Sequence, residues 1–170
     1  MNSSFLINNV VRFFLLLVVQ ILVLKNIQVS TYIDIFIYPM FILLLPIRTP
    51  HWLCLVMAFL MGFIIDGFYD TLGLHAATAT LTAYVREYVL RLLEPRGGFS
   101  SDRTPNRLLL GSGWFLRYAA ILMLIHLTFC LFFETLSFAH FHILILRIAM
   151  SYVFSLILVV LPQYLFQLER

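Results

Sequence analysis

Long apolar runs separated by short polar punctuation dominate the chain, and their lengths match a bilayer. A helix needs roughly 20 apolar residues to cross the hydrocarbon core, and about 17 to 25 when tilted. On that ruler six spans are predicted: Phe5 to Leu24, Tyr32 to Ile47, Trp52 to Phe68, Leu72 to Leu93, Trp114 to Phe133 and Ile143 to Leu161. The second is short and contains Pro39, whose missing N–H should kink or locally unwind it. Pro46 and Pro50 then mark a tight turn, and the sizeable loop runs from Pro95 to Gly113. With no internal repeat and no low-complexity tract, residues 1–170 read as a single membrane domain.

Composition fixes the class. Of 170 residues 62% are hydrophobic and 11% charged, with a mean hydropathy of +1.00, which leaves too little polar surface to cover a soluble globule. The chain is therefore expected to be an all-α, polytopic six-helix membrane bundle. Met1-Asn-Ser-Ser supplies no basic leader, and no small-residue cleavage site follows Leu24, so the first span reads as a retained helix. Lys and Arg are retained in short cytoplasmic loops. An N-terminus inside puts Arg12, Arg48, Arg86, Arg91, Arg96, Arg103, Arg107, Arg117 and Arg170 on or toward that side, against Lys25 and Arg147 outside. Both termini are then cytoplasmic, the Asp66–His75 segment lies at the outer face, and Arg12, inside span one, snorkels. Arg91, Arg96, Arg103 and Arg107 are topogenic charge, able also to contact anionic lipid or a cytoplasmic partner. The isoelectric point near 9.1 comes from these residues, without a basic stripe or aromatic readout surface, so nucleic acid is not an expected partner.

The polar residues that need explaining lie in Asp66-Gly-Phe-Tyr-Asp70-Thr-Leu-Gly-Leu-His75-Ala. A charge at the bilayer centre costs about 2.5 to 3.5 kcal/mol even on lenient scales, so such groups face protein, water or the membrane edge. Ala58, Gly62 and Asp66 recur every four residues and share a helix face, which turns Asp66 into the bundle. Asp70, between Gly67 and Gly73, belongs to a turn. The pair reads either as a ligand, proton or partner site, or as turn carboxylates. His75 either bonds to Asp66 or Asp70 or rests among headgroups. In span four Gly73 and Ala77, Ala76 and Thr80, and Ala79 and Ala83 form small-residue pairs, with Thr78, Thr80 and Thr82 available to bond across helices. Glu87 and Arg91 make an i,i+4 pair at its inner end.

Elsewhere the chemistry is sparse. His126, mid-span, is read as a neutral ring bonded to a neighbouring helix. Glu134, His140, His142 and Arg147 offer metal-ligand types, but with no regular scaffold or further ligand the simpler expectation is a Glu134–Arg147 pair. Cys54 and Cys130 sit in apolar runs as packing residues. No nucleophile elbow, His-Glu-x-x-His or phosphate-cradling glycine loop occurs, and Ser137 near His140 makes no catalytic pair. No enzyme, metal or cofactor is expected.

The Gly62 to Asp66 helix end, the Leu72-Gly-Leu-His-Ala start of the next span and the short six-span layout together resemble the MreD family of rod shape-determining proteins. In that family a Gly-x-x-x-Asp helix end precedes a Leu-Gly-hydrophobic-x-Ala start; Gly62, Asp66, Leu72, Gly73, Leu74 and Ala76 match, and His75 takes the variable position. The likeness is sharp over residues 58–84. It implies a non-enzymatic subunit of the cell-elongation machinery in the bacterial cytoplasmic membrane, working with MreC and, through it, the MreB filament and the peptidoglycan synthases of lateral wall growth. It also implies a fold similar to the substrate-binding subunits of energy-coupling-factor transporters. A vitamin-binding transporter subunit is therefore the rival reading, opposed by the few convergent polar or aromatic residues visible in the sequence.

Overall fold

The computed structural model describes residues 3–26, 32–99, 104–135 and 141–165, with side chains from residue 7 onward. Every regular element among them is helical: α1 (Ser3–Val18), α2 (Pro39–Leu43), α3 (His51–Tyr69), α4 (Leu74–Leu92), α5 (Arg107–Leu110), α6 (Ser112–Thr135) and α7 (Phe141–Leu165). α1 continues through a widened π turn over Val19–Val23 and a tight 3-10 turn over Leu24–Asn26. Four helices are long and apolar enough to cross a membrane: Ile7–Asn26, His51–Tyr69, Ser112–Thr135 and Phe141–Leu165. In Ile7–Asn26, His51–Tyr69 and Phe141–Leu165 most of the apolar surface lies outside the core, as lipid-facing helices require, whereas half of the Ser112–Thr135 span is buried. α4 has the length, at 19 residues, but its threonines and the charged Arg86, Glu87 and Arg91 make it too polar to join them.

α4 is instead the inner helix of the bundle, packed against α3, α6 and α2. Small residues let it sit there: Ala76, Ala79 and Ala83 are buried along one face. α3 and α4 form an antiparallel hairpin whose turn is made by two left-handed residues, Asp70 (φ 55°) and Gly73 (φ 83°). Asp tolerates that region better than most residues because its short polar chain bonds locally, and glycine enters it freely. The hairpin closes hardest at Gly62, where a Cβ would lie 2.5 Å from the Cα of Ala76. Backbone there touches backbone, so only glycine fits.

The second predicted span departs from a helix. Residues 34–37 belong to no regular element, and α2 then makes little more than one turn from Pro39, which occupies the first helical position, where its missing N–H costs nothing. Unwinding thus goes further than a kink. The whole stretch from Tyr38 to Pro46 is buried, so its backbone polar groups have no access to water.

Candidate functional site

A chain cannot leave bare N–H and C=O groups inside a membrane domain, because each costs several kcal/mol in hydrocarbon. Side chains of four helices answer those of the broken segment. Successive N–H groups on one side of an extended chain repeat every two residues, roughly 6.6 Å, and one face of a helix repeats every four, roughly 6 Å. Ser151 and Ser155 of α7 use that match: their Oγ atoms accept from the N–H of Asp34 (2.9 Å) and Phe36 (3.0 Å). Gln20, in the widened turn after α1, accepts from Ile37 N through Oε1 (2.9 Å) and donates from Nε2 to Ile35 O (3.1 Å) and Tyr69 Oη (2.8 Å).

From the last residue of α2 onward, four consecutive carbonyls are met in the same way. Tyr118 Oη donates to Leu43 O (3.0 Å), Arg12 to Leu44 O (3.0 Å), and Arg86 Nη2 to both Leu45 O and Pro46 O. Arg86 Nε in turn donates to Tyr118 Oη (2.9 Å). Cations suit this place, because the C-terminal carbonyls of a helix carry partial negative charge. Arg12 therefore does not snorkel away from the bundle; it reaches inward to the broken span. Arg86, expected among the topogenic charges, is 3% exposed.

At the α3–α4 turn Asp66, 5% exposed, closes the hairpin. Its two carboxylate oxygens accept from the backbone N–H of His75 and Ala76, each at 2.9 Å, and one also accepts from the Thr71 hydroxyl. A carboxylate from one helix thus caps the N-terminus of the next, satisfying two of its orphan donors and its positive dipole end. Asp70 is exposed in the turn, as expected.

Between these two anchors runs a chain of hydrogen bonds through the core. Thr82 spends its one hydroxyl proton on Thr78 O (2.8 Å), so its contact with His126 Nδ1 (2.8 Å) requires the ring to donate. A ring with one proton then accepts at Nε2 from Tyr38 Oη (2.8 Å), and the Tyr38 oxygen accepts from His75 Nδ1 (3.1 Å). Phe36 packs edge-on against both rings, and Tyr69 against His75. All four polar members are buried.

Comparison with family models, with curated proteins and with solved structures returns no match. Gly62, Asp66, Thr71, His75 and Ala76 are brought together, whereas Asp70 stands outside and Gly73 serves the turn. The His75 side chain bonds to Tyr38, not to either aspartate; its backbone is what Asp66 holds. Thr78 and Thr80 bond back to Leu74 O and Ala76 O within their own helix, while Thr82 reaches across to His126 and Thr78 also meets Cys130 of α6. His126 bonds to the neighbouring α4, as expected. Arg147 pairs with Glu134 (3.0 Å), and also with Asp34 (2.6 Å), a partner the sequence did not suggest. Arg91 pairs with Glu87, Arg96 is exposed, and Arg107 lies 4.3 Å over the Tyr164 ring. Arg103, Ser137 and His140 fall outside the described residues.

Sequence reasoning missed Gln20, Asp34, Tyr38, Tyr118, Ser151 and Ser155. Their signal was faint but present: single polar groups inside apolar runs, with the two serines at i,i+4.

Proposed function

We propose that this chain is a non-enzymatic scaffold subunit of the bacterial cell-elongation machinery, similar to MreD, lying in the cytoplasmic membrane with both termini in the cytoplasm. In this reading it crosses six times, the broken segment and the polar α4 being the two crossings that only surrounding protein makes tolerable. The Asp66 turn faces outward and the Arg12–Arg86 end inward, as the arginine bias favours.

One observation carries the scaffold reading. The outer side of the same α3–α4 hairpin presents a broad groove of about 770 Å³ whose walls are Phe59, Phe63, Gly67, Gly73, Ala77 and Thr80, with Asp66 at its floor. Small residues flanked by aromatic ones let another helix approach closely, and van der Waals packing is what drives helix association in lipid. The segment that carries the family resemblance is thus both the clamp that stiffens the hairpin and the back wall of a helix-sized groove. Docking of the single MreC span there, and through MreC of MreB and the peptidoglycan synthases, follows from the reading.

A specific observation favours the transporter reading to a degree. More polar and aromatic groups converge than the sequence suggested: Gln20, Tyr38, Tyr69, His75 and His126. Gln20 is bonded to Tyr69, and Tyr38 to His75 and His126, so their hydrogen-bond donors are already engaged within the protein, which counts against a vitamin site. Depletion in the source bacterium separates the two. Loss of rod shape with vitamin uptake intact supports the scaffold; intact cell width with uptake of one vitamin abolished refutes it.

A further inference from the structure

The Arg86 end of the bundle contains a second feature that neither scaffold nor transporter reading uses. A polar cavity of about 170 Å³ opens beside the 47–49 turn, lined by Arg48, Thr49, His51, Cys54, Arg86 and Glu87 among others. At about 30 Å³ per water it has room for roughly five heavy atoms.

Among the described residues no carboxylate pairs with Arg86, and its partners are a tyrosine oxygen, two carbonyls and the Cys54 sulfur at 3.9 Å. Dipoles solvate a buried guanidinium only in part, and a buried charge is ordinarily paired. The nearest acid in the cavity wall, Glu87, is already engaged by His51 Nδ1 (2.9 Å) and by Arg91. α3 also begins at this cavity, with no side-chain cap and no acidic residue in its first turn. Its N-cap position is Pro50, which has no side chain able to cap, and the adjacent Thr49 hydroxyl donates to Pro46 O. An uncapped helix start adds a second source of positive potential.

We propose that this cavity binds an anionic phosphate group, seated between Arg86, Arg48 and the first turn of α3. The group balances the guanidinium that the carbonyls of the broken span hold in place. Its charge and size fit either the headgroup of an anionic phospholipid or a free phosphate in solution, and the proposal stands whether or not the protein docks MreC.

The test uses the full chain in nanodiscs or detergent, with phosphatidylglycerol, phosphatidylcholine and inorganic phosphate as probes. Native mass spectrometry should show phosphatidylglycerol retained in preference to phosphatidylcholine, or inorganic phosphate should raise the unfolding temperature; the first result assigns a lipid headgroup and the second a soluble anion. Arg48→Glu reverses a lining charge and leaves in place Arg86, which holds Leu45 O and Pro46 O. It should weaken the response by at least about tenfold while helical content is unchanged. Equal retention of the two lipids with no phosphate effect overturns the proposal. So does an undiminished preference in Arg48→Glu, which would reduce it to general surface charge.

Discussion

Gly62 and Ala76 meet backbone to backbone, with 2.5 Å between the position a Cβ would take on residue 62 and the Cα of Ala76. Gly62→Ala therefore has to push the hairpin apart, an overpacking that costs about 1 to 3 kcal/mol. Gly67, five residues on, has nothing within 4 Å of its Cβ position, and Gly67→Ala should stay within about 0.5 kcal/mol. Unfolding in detergent by heat or denaturant compares the two, and similar losses would deny the close approach.

Asp66 and Asp70 separate on the same helix end. Asp66→Ala removes the acceptor of two backbone N–H groups and a hydroxyl, and should cost about 1.5 to 3 kcal/mol, the range for hydrogen bonds to a charged group. Asp70→Asn should be close to neutral, since Asn also tolerates the left-handed region. Complementation and thermal stability should rank them alike. Equal tolerance of both changes would mean that Asp66 does not clamp the hairpin.

Much of this architecture is legible in the sequence, and the limit has a physical origin. Four-residue spacing puts Gly62 and Asp66 on one face, and the apolar ruler finds each long helix to within a few residues. Pro39 announces a broken second span. What the sequence does not say is how the broken backbone is satisfied, because Arg12, Gln20, Arg86, Tyr118, Ser151 and Ser155 act at separations of 15 to 119 residues. Periodicity reports a helix's own faces, not the register of its neighbours. Arg86 is the clearest case: a basic residue near a helix end reads as topogenic, and only the unwound carbonyls opposite explain its burial.

The broken span supplies a third prediction. Ser151→Ala and Ser155→Ala each strand one backbone N–H, and interhelical bonds in membranes average about 0.6 kcal/mol with a ceiling near 1.7. The double variant should lose roughly the sum, because the two serines serve different residues, Asp34 and Phe36. Unfolding free energies of the wild type, both singles and the double check this. No loss in the double variant would mean the segment finds other partners.

Tyr38 is the pivot of the buried chain. Tyr38→Phe keeps the ring but leaves His75 Nδ1 and His126 Nε2 without their shared oxygen, and should cost about 1 to 3 kcal/mol for the groups left unpaired. Tyr38→Phe in a His126→Leu background should cost less, since one stranded group is already gone. Identical costs in the two backgrounds, read by the same unfolding measurement, would show that Tyr38 and His126 are not coupled.

In the proposed function the α3–α4 groove receives a partner's membrane span. A photo-crosslinking residue at Ala77, in the groove, is compared in living cells with one at Val153, on the exposed face of α7. An adduct with a single-span partner should form at residue 77 and none at 153. Absence of an adduct at 77, or equal labelling at both positions, would contradict the claim.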